Sequence, residues 1–174
     1  MKNLILISAI VFAQFSFADV TLVSSSDTSL QWATTVKDKH EVLEQKACVA
    51  EVKKLTKAGK VANLEVVSLS SSNGYLEPLV AVSGQGIDFH TAELVIKTGS
   101  ALDTVQLVRG ESAKGLAMAL SKVEERKRLM VLLKAGDTAE LKLYKNKKLL
   151  DSAVITLKGS SKSISALEKS CASL

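Results

Sequence analysis

Residues 131–171 read VLLKAGDTAELKLYKNKKLLDSAVITLKGSSKSISALEKSC, and the reading of this stretch decides the fold. In order it spells the end of a helix, a glycine stop, a two-stranded hairpin and a short helix closing on a cysteine. Leu141 and Leu143 alternate with Glu140 and Lys142, and on the return Ala153, Ile155 and Leu157 alternate with Ser152, Val154 and Thr156. Such period-two alternation belongs to an antiparallel sheet with one face on a core and the other in water. Beyond Gly159, the residues Ile164, Leu167 and Cys171 fall three and four apart, on one face of a helix. Cys171 is therefore expected to point inward.

The helix that enters this stretch opens at Ser121-Lys122-Val123-Glu124, where the serine and glutamate have capping-box spacing. Its acids come first and Lys134 comes last, as the macrodipole favours. Val123, Met130 and Leu133 supply an apolar side, and Gly136 is expected to supply a left-handed stop.

Upstream, short apolar segments alternate with turn residues. Strands are predicted on both sides of Ser24-Ser25-Ser26-Asp27, with Trp32 in the second as a core or sheet-edge anchor. The polar run 37–46 reads as a loop that leaves His40 in solvent. In residues 47–55, Cys48, Ala50 and Val52 alternate with Val49, Glu51 and Lys53, which makes a half-buried strand with Cys48 inward. Further strands follow at 61–70, after Pro78, at 92–98 and at 104–110, separated by Asn73-Gly74, Gly84-Gln85-Gly86 and Gly99-Ser100. Residues 114–120, KGLAMAL, are read as one more strand. Turns at this spacing imply a mainly β fold, an antiparallel β-sandwich with two short helices near the C-terminus.

The amino end has a different character. Lys2 precedes an apolar run at 4–12, and Ser16-Phe17-Ala18 precedes the first acid, Asp19. This is the pattern of a secretory signal peptide, and the run is shorter than the roughly 20 residues that span a bilayer. Residues 1–18 are thus expected to be removed, leaving 19–174 as a single β-rich domain with no transmembrane segment, periplasmic or secreted.

Two cysteines remain, Cys48 and Cys171, in a chain bound for an oxidising compartment, and a disulfide is the expectation, with two free thiols as the other reading. The chain-entropy model assigns a loop of this length on the order of 5 kcal/mol. Structural zinc needs four ligands at close spacing and is not indicated.

The full chain carries 23 cations and 18 acids. Residues 19–110 hold 9 cations against 11 acids, and residues 111–174 hold 13 against 7, so the carboxyl part is the basic one. A nucleic-acid partner is not expected, because single-strand grooves also need stacking aromatics, and Trp32, Tyr75, Phe89 and Tyr144 are scattered. The basic part points instead to a protein or an anionic envelope surface.

Catalytic patterns are weak. Asp88 and His90 stand two apart after a glycine pair, a spacing that puts both on one side of an extended chain. They are candidates to share a metal or a proton, with His40 as a distant third group. Gly110-Glu111-Ser112-Ala113-Lys114-Gly115 has neither the lysine and hydroxyl that follow the second glycine of a phosphate loop nor the glycine after the serine of a nucleophile elbow. No catalytic residue and no cofactor are assigned.

The carboxyl stretch resembles the end of the invasion-associated locus B family, exported proteins of Gram-negative bacteria. The resemblance is carried by Leu132-Leu133-Lys134-Ala135-Gly136, the hairpin at 139–156, Leu157-Lys158-Gly159, and the closing helix with Ile164 and Leu167. Trp32 followed by Cys48 extends it. The chain departs from the family pattern in lacking further cysteines near the amino end and in KGLAMAL. The resemblance implies export, an all-β core and host or envelope association. The expected function is therefore that of a non-enzymatic envelope interaction protein. The alternatives are a periplasmic hydrolase or hydrolase inhibitor, and a small-ligand-binding module.

Overall fold

The computed structural model describes residues 20–23, 32–40, 45–109, 118–119 and 123–171. The leader at 1–18, the turn at 24–27, the glycine motif at 110–115 and the first two capping residues, 121–122, lie outside them.

The first strands are β1 (Val20–Val23), β2 (Ala33–Lys37), β3 (Ala47–Leu55) and β4 (Val61–Ser71). A two-residue strand β5 (Gly74–Tyr75) turns back on β4, and Pro78 stands immediately before β6 (Leu79–Gly84). Next come β7 (Thr91–Thr98), β8 (Ala101–Arg109) and β9 (Met118–Ala119). Helix α1 (Val123–Ala135), the hairpin β10 (Thr138–Lys145) and β11 (Lys148–Thr156), and helix α2 (Ser160–Cys171) complete the described chain. Of the strand expected at 114–120, only Met118 and Ala119 fall among the described residues.

The pairings are antiparallel and form the path β1-β2-β3-β4-β6-β9-β8-β7-β10-β11, with β5 beside β4. The middle link, β9, pairs Ala81 and Val82 on one side and Val108 and Arg109 on the other. So short a link lets the path fold into two four-stranded sheets, β2-β3-β4-β6 and β8-β7-β10-β11. This is the predicted sandwich with its two carboxyl-terminal helices.

The inner rows follow from the register. Cys48, Ala50 and Val52 on β3 face the core beside Leu64 and Val66 on β4, Val80 and Val82 on β6. Ala92, Leu94 and Ile96 on β7, Leu141 and Leu143 on β10 and Ile155 on β11 meet them from the second sheet. The helices fill the remaining side: Leu129 and Leu133 of α1, and Ile164, Leu167 and Cys171 of α2, are buried in the same cluster. Ser160 Oγ donates to Leu133 O at 2.6 Å, joining the helices. Thr34 Oγ1 donates to Ser163 O at 2.8 Å, joining α2 to β2.

Two contacts seal the edge opposite β9. Trp32, 2% exposed, donates its indole N–H to Thr156 O at 3.0 Å, so it is a core anchor, as expected. Lys57 N donates to Ser152 O at 2.8 Å. Cys48 and Cys171 form the expected disulfide, with Cα atoms 6.2 Å apart, so that β3 and α2 are covalently joined.

Three expectations are corrected. Gly136 is not among the residues of positive φ. A Cβ there would lie 2.7 Å from Leu157 Cδ1, 2.8 Å from Ile96 Cγ2 and 2.9 Å from Leu132 O, so the glycine serves close packing and not a left-handed stop. The outward row of β3 is not a plain solvent face either, since Val49 joins Ala47, Val67 and Ala81 in a second, smaller apolar cluster. His40, expected in solvent, is 2% exposed. His40 N donates to Gln45 O, and the imidazole meets Glu65 of β4 on the outer face of the first sheet.

Replacing both cysteines by serine is expected to lower the unfolding free energy by roughly 2–5 kcal/mol, read from urea denaturation. In the same assay Gly136→Ala should cost about 1–3 kcal/mol, because one of the crowding atoms is backbone and two belong to branched core side chains.

Candidate functional site

Residues 85–90 connect β6 to β7. In this loop Ile87 and Phe89 are buried while Asp88 and His90 are exposed. Both polar side chains are thus in solvent, on a loop and not a strand. Asp88 Oδ2 accepts from Lys145 Nζ at 2.5 Å, and His90 N donates to Tyr144 O at 2.7 Å. His40 is bound elsewhere, to Glu65. Among the described residues no group of three His, Cys, Asp or Glu side chains is close enough to hold a metal ion.

The His40 site was not legible from sequence because its members come from separate elements. His40 Nε2 lies 2.7 Å from Glu65 Oε2. Asn63 Nδ2 donates to Glu65 Oε1 and, at 3.1 Å, to Glu51 Oε2. Lys37, opposite Ala47 on β2, must lie along its strand past the Thr35 row to reach Glu51 Oε2 at 3.3 Å. Burial alone would raise the Glu51 pKa, but the Asn63 amide and the Lys37 and Lys53 ammonium groups outweigh it and hold it below the ordinary carboxylate range. Polar and charged groups locked on one another clamp the outer face of the first sheet.

A groove of about 330 Å³ runs between the helices and the segment before β6. Pro78, Met130 and Val131 line it with Arg126 and Lys127, and Lys134 beside it pairs with Glu168 at 2.7 Å. Arg128 of α1 is engaged with Asp103 at 2.7 Å.

A cluster of lysines lies at one end of the sandwich, where three loops meet. Residues 56–60 turn from β3 to β4, and residues 146–147 turn from β10 to β11. The loop at 85–90 sits with them. Asp151 ties the first to β11: its carboxylate accepts from Thr56 Oγ1 at 2.5 Å, Ala58 N at 3.2 Å and Ser152 N at 2.8 Å. Lys60 Nζ donates to Gly86 O at 2.8 Å, and the Lys145–Asp88 pair completes the triangle.

This end displays lysines around aliphatic side chains. Lys57, Lys60, Lys147 and Lys148 are exposed, and Lys145 is half-buried. Leu55 is 64% exposed, Leu149 48% and Leu150 41%. The two adjacent leucines are both outside because the register slips: Leu143 pairs Asp151 but Tyr144 pairs Leu149, leaving Leu150 as an extra residue in a bulge. The acids nearby are already engaged, Asp88 by Lys145 and Asp151 by its three donors.

The basic carboxyl part is thereby divided. Lys145, Lys147 and Lys148 of the hairpin join Lys57 and Lys60 from the acidic half, while in α1 Arg126 and Lys127 line the groove and Arg128 and Lys134 pair with Asp103 and Glu168. The sequence signal for this end was the repeated mixture of lysine and leucine in KLTKAGK and YKNKKLL, two segments about ninety residues apart.

Compared with family models, curated proteins and solved structures, the chain matches none of them.

Asp151 carries a pH dependence. Burial pushes its pKa up, but the Thr56 hydroxyl, the Ser152 and Ala58 N–H groups and the Lys60 ammonium bring it below the ordinary value. A folded-state pKa below the unfolded one contributes stability that is present above the unfolded value, about 3.9, and is lost as pH falls through the folded value. The urea midpoint should accordingly fall on acidification below about pH 4. Glu51 adds a slope of the same sign, so Asp151→Asn should reduce the acid slope without abolishing it.

Proposed function

We propose that this chain is a non-enzymatic exported protein of the Gram-negative cell envelope, of the kind its resemblance to invasion-associated locus B proteins implies, and that it acts by contact with a protein or envelope surface. The observation that carries this reading is the three-loop end, where lysines surround exposed leucines and the nearby acids are engaged, Asp88 by Lys145 and Asp151 by its three donors. The disulfide adds support, since such bonds persist in oxidising compartments, to which a leader at residues 1–18 would direct the chain. No described helix is long and apolar enough to cross a membrane.

A second reading, a module for a small ligand, is favoured by the groove beside Met130 and Val131. Occupation there would leave the lysine end without a part in function, so the two separate by mutation.

The experiment is retention of the exported protein by isolated envelope fractions. Retention at low salt is expected to drop roughly tenfold or more in Lys147→Glu/Lys148→Glu, since reversing two charges removes and then opposes surface attraction. Equal retention of the variant, or no retention of the parent protein, would overturn the reading.

A further inference from the structure

We propose that the surface met by the three-loop end is an anionic lipid bilayer, with the lysine ammonium groups on lipid phosphates and Leu55, Leu149 and Leu150 entering the headgroup region. This rests on the surface-contact reading above and names its partner.

Chemistry favours lipid over protein. Protein interfaces are enriched in aromatic side chains and arginine at their anchoring centres and depleted of lysine. Here the cations are all lysine and the exposed large apolar side chains all leucine. Lysine is a compact point charge on a flexible stem, suited to a fluid array of phosphates and not to one fixed acceptor. Its four methylenes can lie along apolar surface while the ammonium stays at the polar boundary.

Shape agrees. The leucines stand at the projecting ends of hairpins, Leu55 as the last residue of β3 and Leu149 and Leu150 just past the β10–β11 turn. None of these residues lines the groove beside Met130 and Val131. The Asp151, Lys60 and Lys145 contacts hold the loops together before any encounter, so little ordering entropy is lost on docking.

The hairpin turn supplies an independent observation. Asn146 and Lys147 both have positive φ, 51° and 64°, as a two-residue type I′ turn requires. Asparagine adopts this region readily, but the second position is one where glycine is strongly preferred. A lysine held there costs stability and projects a cation at the apex of the end, where its charge reaches any approaching surface first.

The turn also provides the test. Lys147→Gly relieves backbone strain, so the variant should unfold at higher urea concentration while losing charge from the tip. Protein-free vesicles of phosphatidylcholine, with and without phosphatidylglycerol, are sedimented with the exported protein, its disulfide intact. Binding is expected only to the phosphatidylglycerol vesicles and should weaken with added salt. Lys147→Gly should weaken it roughly fivefold, the contribution of one lysine near an anionic surface. Leu55→Ser/Leu149→Ser should weaken it further at unchanged charge. Equal binding to both vesicle types, unchanged binding by Lys147→Gly, or no binding to either would overturn the proposal. Retention on envelope fractions that depends on Lys147 and Lys148 without any vesicle binding would identify a protein partner and leave the broader reading intact. Loss of both would remove the two together.

Discussion

Two sheets joined through a two-residue strand need a second attachment, because β9 alone would leave their far edges free to part. That attachment is distributed over the opposite margin. The Trp32 indole reaches Thr156 O, Lys57 N reaches Ser152 O, and Asp151 gathers Thr56 and Ala58. The Cys48–Cys171 bond fastens β3 to the helix that follows β11. Buried backbone groups at a sheet edge must find partners, and in this molecule most of the named partners for the β11 edge come from the first sixty residues. The sandwich is thus closed by contacts between parts of the chain far apart in order.

The same closure creates the lysine end. Asp151 serves two purposes, since the bonds that fix the 56–60 turn against β11 also bring Lys57 and Lys60 near the tip of the last hairpin. The Asp88–Lys145 pair adds the third loop. Stability and surface chemistry are coupled in these residues: the Asp151 carboxylate is buried under its three donors, and the exposed Asp88 carboxylate is paired with Lys145.

Much of the architecture was legible. Period two in residues 139–157, helical spacing of Ile164, Leu167 and Cys171, and turn residues at Asn73-Gly74 and Gly99-Ser100 all mark elements that the structure contains. These signals are local, and they succeed because one face of each element meets a single apolar interior. Where a second interaction intervened, local reading failed. His40 looked solvated because Glu65 is twenty-five positions away. Gly136 looked like a helix stop because the crowding by Ile96 and Leu157 is tertiary. Leu149 and Leu150 are adjacent in sequence, and a bulge sets both outside. The candidate pair Asp88 and His90 was visible as a spacing, whereas the salt bridge from Lys145 was not.

By itself the sequence determined which segments become strands and helices and which of their faces are apolar, since periodicity and turn chemistry act over a few residues. It also marked the two cysteines as inward-facing. Tertiary structure alone decided which strands neighbour one another, that a histidine and two glutamates share a covered face, and that lysines from an acidic half and a basic half crowd one end. Such pairings depend on distances through space between residues far apart in the chain, and no spacing along the chain encodes them.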